Sequence, residues 1–142
     1  MSRTNKIIYW VSTLWMALGM VSTGAVQLLK LAGDGPGSLT SMTHLGYPVY
    51  LVPLLGAWKM LGVVALLVPG FPLLKEWAYA GFFFIMTGAL FSHIAVGDPV
   101  SQMLPAVLLL VLNTLSWYFR PLSRRLASVA PINQSLNPQI AK

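Results

Sequence analysis

Four long apolar runs alternate with shorter polar segments along this chain. The runs cover residues 7–29, 50–68, 77–96 and 100–119. Each is close to the length of about 20 residues that a helix needs to cross a lipid bilayer. The first run exceeds the core of about 7–15 residues typical of a signal peptide, so we expect it to remain as a helix. The pattern predicts an all-α integral membrane protein in which residues 1–119 form a four-transmembrane-helix bundle.

The connections between the runs differ in length. Residues 30–49 are rich in Gly, Pro and Ser, which predicts a loop of about 20 residues that folds back over the mouth of the bundle. Residues 69–72 and 97–99 are short turns, so the second and third helices, and the third and fourth, are expected to be antiparallel neighbours. The basic, polar segment 120–142 is expected to form a disordered cytoplasmic tail.

Composition supports a membrane location. The chain is 56% hydrophobic and only 8% charged, and its mean hydropathy is +0.72. Soluble domains have about 25% charged residues. The runs occupy most of the chain and leave no room for a separate soluble domain. The absence of cysteine excludes disulfide exchange, cysteine-ligated zinc and iron–sulfur clusters on this chain.

Basic residues concentrate on one predicted side of the membrane. They precede the first run, lie between the second and third, or follow the fourth: Arg3, Lys6, Lys75, Arg120, Arg124, Arg125 and Lys142. The other side has Lys30. Because lysine and arginine accumulate in cytoplasmic loops, we expect both termini to be cytoplasmic. The net charge of +6 then indicates topology and contact with membrane lipid, and no nucleic-acid partner is expected.

Lys59 lies near the middle of the second run, where a lysine costs about 2.5–3.5 kcal/mol to insert. Gly56 and Gly62 flank it at intervals of three residues, which predicts a close helix contact and an inward-facing lysine. Gly81 and Gly88 are predicted to form a similar packing stripe in the third helix.

Side-chain tilt toward helix N-termini makes Lys59 and His93 converge in the outer half of the membrane. Asp98 lies about one turn beyond His93, and Gln27 and Tyr47 are expected at a similar depth, with Tyr50 nearby. These residues are candidates for an outward-facing ligand-binding cavity in which Lys59 binds an anionic or carbonyl head group.

An alternative remains open, in which Lys59 bonds backbone carbonyls and water and only locks the bundle. The spacing of the histidines and aspartates matches no metal motif, so no metal site is predicted. No nucleophile–base pair is visible, so catalytic residues, and whether the chain is an enzyme, stay undecided.

The segment from His44 to Pro99 resembles the DoxX-like family of small bacterial four-helix membrane proteins. The resembling motifs include Gly46-Tyr47-Pro48, Lys75-Glu76-Trp77, Ser92-His93 and Gly97-Asp98. The resemblance implies a four-helix bundle in the bacterial cytoplasmic (inner) membrane. The wider DoxX/DoxD group includes subunits linked to thiosulfate:quinone oxidoreductase and terminal quinol oxidase complexes.

The resemblance therefore implies an accessory subunit of an envelope redox or quinone-linked system, with no cofactor of its own and quinone reached through a membrane partner. Any oxidoreductase role would belong to the complex. Two alternatives stay open: a small-molecule transporter or permease component, and a structural or assembly protein with Lys59 as a packing lock. A homo-oligomer is compatible with each.

Overall fold

The computed structural model describes residues 2–126, and every regular element in that part of the chain is helical. The elements are α1 (Arg3–Leu28), α2 (Leu39–His44), α3 (Leu51–Leu67), α4 (Pro72–Val96), α5 (Val100–Phe119) and a 3₁₀ helix (Leu122–Arg124). The predicted runs therefore correspond to α1, α3, α4 and α5. The predicted end of the first and both ends of the fourth agree with the structure to within a residue.

Helix ends follow local chemistry that the apolar pattern does not contain. The Ser2 hydroxyl accepts a hydrogen bond from the Asn5 backbone N–H at 3.2 Å, so α1 begins four residues before the predicted run. Pro72 occupies the first turn of α4, which begins five residues earlier than predicted. Gly97 ends α4 in the left-handed conformation, where glycine has no steric penalty.

The connection 30–49 is not wholly a loop, because it contains the six-residue helix α2. The Ser38 hydroxyl caps this helix by accepting from the Ser41 backbone N–H at 3.1 Å, and it donates to the Gly33 carbonyl at 2.5 Å. Met42 on α2 is buried against the bundle. The connection thus places a short helix over one end of the bundle.

The four long helices form a closed ring. Helix α1 contacts α3 and α5, and α4 contacts the same two helices. A core rich in methionine and aromatic side chains fills the centre: Met16, Met20, Val63, Leu66, Tyr79, Phe82, Met86, Ala106 and Leu109. The two short turns make α3–α4 and α4–α5 antiparallel neighbours in this ring.

Apolar side chains cover the outer surface as well as the core, unlike in a soluble protein. Large apolar side chains such as Leu61, Phe84 and Phe91 are exposed on the outer surface. Polar groups are buried between the helices, where Ser116 bonds Thr13 at 2.6 Å and Tyr79 at 2.8 Å. This distribution suits a lipid-facing exterior, where helices associate through packing and hydrogen bonds.

Among residues 2–126, α1, α4 and α5 are long and apolar enough to cross a membrane, and α3 is a shorter apolar helix. Seventeen residues at the helical rise span about 25 Å. The backbone carbonyls at the C-terminal end of α3 accept hydrogen bonds from two cationic side chains. Lys75 donates to the Ala65 carbonyl at 2.7 Å and to that of Val68, and Arg124 donates to the Leu66 carbonyl at 2.7 Å.

The predicted packing glycines divide into two groups. A Cβ on Gly56 would lie 2.7 Å from the Gly24 carbonyl oxygen, and one on Gly62 would lie 2.6 Å from Phe82, so both sit at close helix contacts. The predicted stripe in α4 is wrong for contacts within the described chain. A Cβ on Gly81 or Gly88 would meet no atom within 4 Å.

The predicted tail divides at the limit of the described residues. Residues 120–126 fold against the bundle, where Arg120 forms an ion pair with Glu76. Residues 127–142 lie outside the described part of the chain, so the disorder expected for them stays a prediction.

Candidate functional site

A large cavity opens at the end of the bundle away from Asn5 and Phe119, next to α2. Its volume is about 930 Å³. All five α-helices contribute to its lining, and apolar side chains such as Leu55, Met86 and Leu109 form much of the wall. Its polar lining includes Thr23, Gln27, His44, Tyr47, Lys59, His93 and Asp98.

Lys59 is 5% exposed and lines this cavity. Its Nζ donates to Thr23 Oγ1 at 3.0 Å, and within residues 2–126 it forms no ion pair. An ammonium has three donors, so one hydroxyl leaves most of its hydrogen-bonding capacity for water or a ligand. The close approach of α1 and α3 at Gly24 and Gly56 positions the lysine: Gly24 would place a Cβ 3.3 Å from Lys59 Cβ.

Asp98 bridges two histidines at the mouth of the cavity. Its Oδ1 lies 2.8 Å from His44 Nε2, and its Oδ2 lies 2.6 Å from His93 Nδ1. The short turn after α4 places Asp98 within reach of His93, and α2 brings His44 to the other oxygen. The carboxylate thus ties α2 to the α4–α5 turn.

The hydrogen bonds from His44 and His93 lower the pKa of Asp98 from its ordinary value of 3.8, against a smaller opposing effect of desolvation. The carboxylate accepts from Nδ1 of His93, so that nitrogen carries a proton. Nε2 of His93 has no hydrogen-bond partner within the described residues. An imidazole oriented in this way can exchange a proton with a bound molecule.

Two further polar groups complete the lining. The Tyr47 hydroxyl lies 2.8 Å from Ser92 Oγ, and Ser92 donates to the Gly88 carbonyl at 2.9 Å, so Tyr47 is the donor in this pair. Gln27 is buried, and its Nε2 contacts Met42 Sδ at 3.5 Å. Its Oε1 is buried without a partner among residues 2–126. The Tyr47 oxygen and Gln27 Oε1 are therefore available as acceptors.

The structure brings all five predicted ligand-binding residues to one cavity: Gln27, Tyr47, Lys59, His93 and Asp98. Whether they bind a ligand stays a prediction. Tyr50 is 75% exposed and does not line the cavity. Sequence reasoning grouped His44 with His93 and the aspartates only as a metal site, which the spacing did not support, and it did not pair Thr23 with Lys59. His44 was detectable as a titratable residue in a connection of unusual length, whereas Thr23 carries no sequence signal of its own.

In the described part of the chain, no three His, Cys, Asp or Glu side chains are arranged to bind a metal ion. Both oxygens of Asp98 are already used by the two histidines. The cluster is suited to hydrogen bonding and proton exchange.

Comparison with known families gives one match. The model of the DoxX-like family matches residues 11–116, which is most of the chain. The chain belongs to the DoxX-like family. The match includes the cavity residues from Thr23 to Leu109. No curated protein matches this DoxX-like chain, and no solved structure matches it. Family membership and three helices of membrane-spanning length make it a multi-pass membrane protein.

Proposed function

We propose that this DoxX-like protein is an accessory subunit of a bacterial envelope redox or quinone-linked system and binds an amphipathic molecule in its cavity. In this proposal α1, α3, α4 and α5 all span the cytoplasmic membrane, both termini are cytoplasmic, and the cavity opens outward. The charge distribution supports this orientation, because Lys and Arg cluster at the bundle end that carries Ser2 and Arg120.

The observation that carries the proposal is the buried, incompletely satisfied Lys59 in the wall of an apolar cavity. Small-molecule sites typically measure about 300–1,000 Å³ and combine apolar walls with a few placed polar groups. The cavity of about 930 Å³ has this character. A buried ammonium without a carboxylate partner is costly, so a ligand carbonyl or anionic oxygen at Nζ would stabilise the site.

A quinone fits this arrangement. Lys59 could donate to one carbonyl oxygen, and Leu55, Met86 and Leu109 offer apolar contact for the ring or its hydrocarbon chain. The site of electron transfer would belong to a membrane partner. His93, oriented by Asp98, would exchange a proton with the bound head group when its redox state changes.

The proposal is tested by native mass spectrometry of protein extracted gently from its own membranes. Wild type, Lys59→Met and Lys6→Met are compared; the last variant removes an exposed lysine at the opposite end of the bundle. We expect a co-purified quinone or acidic amphiphile in wild type and Lys6→Met. In Lys59→Met its occupancy should fall about tenfold or more, because a charge-assisted hydrogen bond is lost.

An empty wild-type protein, together with a Lys59→Met protein that only loses assembly, would overturn the proposal and make Lys59 a packing lock. Cross-linking in the native membrane before extraction tests the second part. A redox partner captured by wild type supports the role of accessory subunit. A protein that purifies alone and carries no quinone contradicts it.

A further inference from the structure

A second, smaller pocket lies at the opposite end of the bundle, between the start of α1 and the end of α5. Its volume is about 430 Å³. The pocket is lined by one residue of the first turn of α1 and by five residues at the end of α5 and just beyond it. They are Asn5, Trp117, Tyr118, Phe119, Arg120 and Arg125. The pocket shares no residue with the cavity at Lys59.

The Arg125 side chain is anchored at this pocket by the protein backbone. Its Nε donates to the Arg120 carbonyl and its Nη2 to the Tyr118 carbonyl, both at 2.9 Å. These carbonyls belong to the end of α5, where helix carbonyls lack intrahelical partners. Nη1 has no partner among residues 2–126. The guanidinium is therefore positioned in advance, with donor capacity left for an anion.

Arg120 supplies a second, buried guanidinium. The residue is 8% exposed, pairs with Glu76, and lies over the Trp117 ring at 4.9 Å from its centroid. Its Nε and Nη1 are buried without a hydrogen-bond partner in the described part of the chain. Buried polar groups are normally satisfied, so two orphaned nitrogens in a pocket wall need explanation. The guanidinium lies over the Tyr79 and Trp117 rings, which enclose it, so Arg120 contributes positive charge to the pocket wall and no direct hydrogen bond to an anion.

The local charge favours an anion. The sequence contains three acidic residues, and two of them, Asp34 and Asp98, lie at the cavity end of the bundle. Glu76 is the remaining carboxylate, and it already accepts from Arg120 and from Trp117 Nε1 at 3.1 Å. The N-terminus of α1, at Asn5, adds the positive end of a helix dipole.

We propose that this pocket binds the phosphate of an anionic phospholipid head group. Arginine forks match phosphate oxygens in geometry and charge. Trp117 and Tyr118 are 45% and 65% exposed at the same helix end, as expected for aromatic side chains at a membrane interface. A lipid in the adjacent leaflet would place its phosphate beside Arg125 and its chains along the outer face of α5.

The test uses the full chain in nanodiscs that contain phosphatidylglycerol and phosphatidylcholine with matched acyl chains. Lipids retained after release are counted by native mass spectrometry. We expect wild type to retain phosphatidylglycerol in preference to phosphatidylcholine. Arg125→Gln should reduce this preference about tenfold, because it removes one charge-assisted contact. Lys6→Gln is the matched control: it removes one exposed positive charge at the same bundle end, outside the pocket.

Equal losses in Arg125→Gln and Lys6→Gln would overturn the proposal, because general electrostatic attraction would then account for the binding. So would the absence of any preference for phosphatidylglycerol in wild type. Inorganic phosphate is titrated in a separate arm. If it binds with dependence on Arg125 while phosphatidylglycerol does not, the pocket takes free phosphate and the assignment to lipid is wrong.

Discussion

Each buried cation in this bundle has a different kind of partner. Arg120 pairs with a carboxylate, Lys75 donates to backbone carbonyls at the end of α3, and Lys59 donates to a single hydroxyl. The first two are compensated by charge or by several acceptors. Lys59 has one hydroxyl partner and no carboxylate partner among residues 2–126, and it is the one of the three that lines the large cavity. This difference supports a ligand-binding role for Lys59 and a structural role for Lys75.

Asp98 gives a prediction with a defined pH dependence. The pKa of this carboxyl is lowered in the folded protein, first by the hydrogen bond from His44 and then by that from His93. Its contribution to stability is therefore complete above its ordinary value of 3.8 and is lost as the pH falls below that value. We expect Asp98→Asn to have a lower melting temperature than wild type in detergent at pH 7 and at pH 5. The two melting temperatures should become equal below about pH 4.

The matched control for Asp98 is Asp34→Asn. Asp34 is an exposed aspartate in the same connection as α2 and forms no ion pair among residues 2–126. The Asp34→Asn substitution should leave the melting temperature unchanged across the same pH range. A difference between wild type and Asp98→Asn that persists undiminished well below the ordinary pKa of 3.8 would contradict the assigned role of the carboxylate.

Sequence spacing was sufficient for some contacts of the site and insufficient for others. His93 and Asp98 are five residues apart at a helix end, and helix geometry alone predicts their proximity. His44 reaches Asp98 across 54 residues, through a connection whose path depends on tertiary contacts. Thr23 is one of several hydroxyl residues of α1, and only the packed structure distinguishes it as the partner of Lys59.

At the scale of whole elements, the length of the apolar runs predicted the four long helices, because each run is close to the length needed to cross a bilayer. Helix α2 has six residues, too few for a periodic signal, and depends on the Ser38 cap and on contacts such as that of Met42 with Gln27. Of the glycines that spacing predicted at helix contacts, those on α3 lie close to a neighbouring helix, whereas a Cβ on those of α4 would meet no atom of the described chain within 4 Å. Spacing identifies a possible contact face, whereas the orientation of the helix decides whether a neighbour lies there.

The contact between α1 and α3 predicts a difference between two glycine substitutions. In Gly56→Ala the new Cβ would lie 2.7 Å from the Gly24 oxygen and 2.9 Å from the Leu28 nitrogen, both backbone atoms, so the helices must move apart. We expect a loss of about 1–3 kcal/mol of stability. Gly81→Ala, which meets no atom within 4 Å, should cause no loss. Thermal unfolding in detergent compares the two, and equal losses would contradict the close contact.

Lys75 donates hydrogen bonds to the C-terminal end of the short helix α3, so we expect its substitution to lower the stability of the protein strongly. This residue is 1% exposed and donates to carbonyls of Ala65, Leu66 and Val68. Lys75→Met leaves the carbonyls of Ala65 and Val68 without this donor, whereas Leu66 keeps Arg124, and the loss should cost about 2–4 kcal/mol. Lys6→Met removes an exposed lysine as a control and should leave the melting temperature near that of wild type. A Lys75→Met protein as stable as wild type would show that other groups cap α3.

At the scale of the whole molecule, the two ends of the bundle have different chemistry. One end has the cavity and its histidine–aspartate cluster, and the other has Lys75, Arg120, Arg124 and Arg125. Charge asymmetry in the sequence predicts which end faces the cytoplasm. The sequence predicted which polar residues converge on a cavity but not its volume, because the volume arises between five helices whose relative positions no local pattern encodes.

The final prediction concerns the number of spans and their orientation. The chain has no cysteine, so single cysteines can be introduced without background: Gly35→Cys beside α2, Pro69→Cys after α3, and Ser123→Cys after α5. If four helices span the membrane, a membrane-impermeant maleimide added to intact spheroplasts should label only position 35. Positions 69 and 123 should react after permeabilisation. If α3, the shortest of the four, returned to the side it started from, only three spans would remain, and positions 35, 69 and 123 would all be labelled. Labelling of 69 and 123 but not of 35 without permeabilisation would reverse the orientation, and the cavity would then open to the cytoplasm.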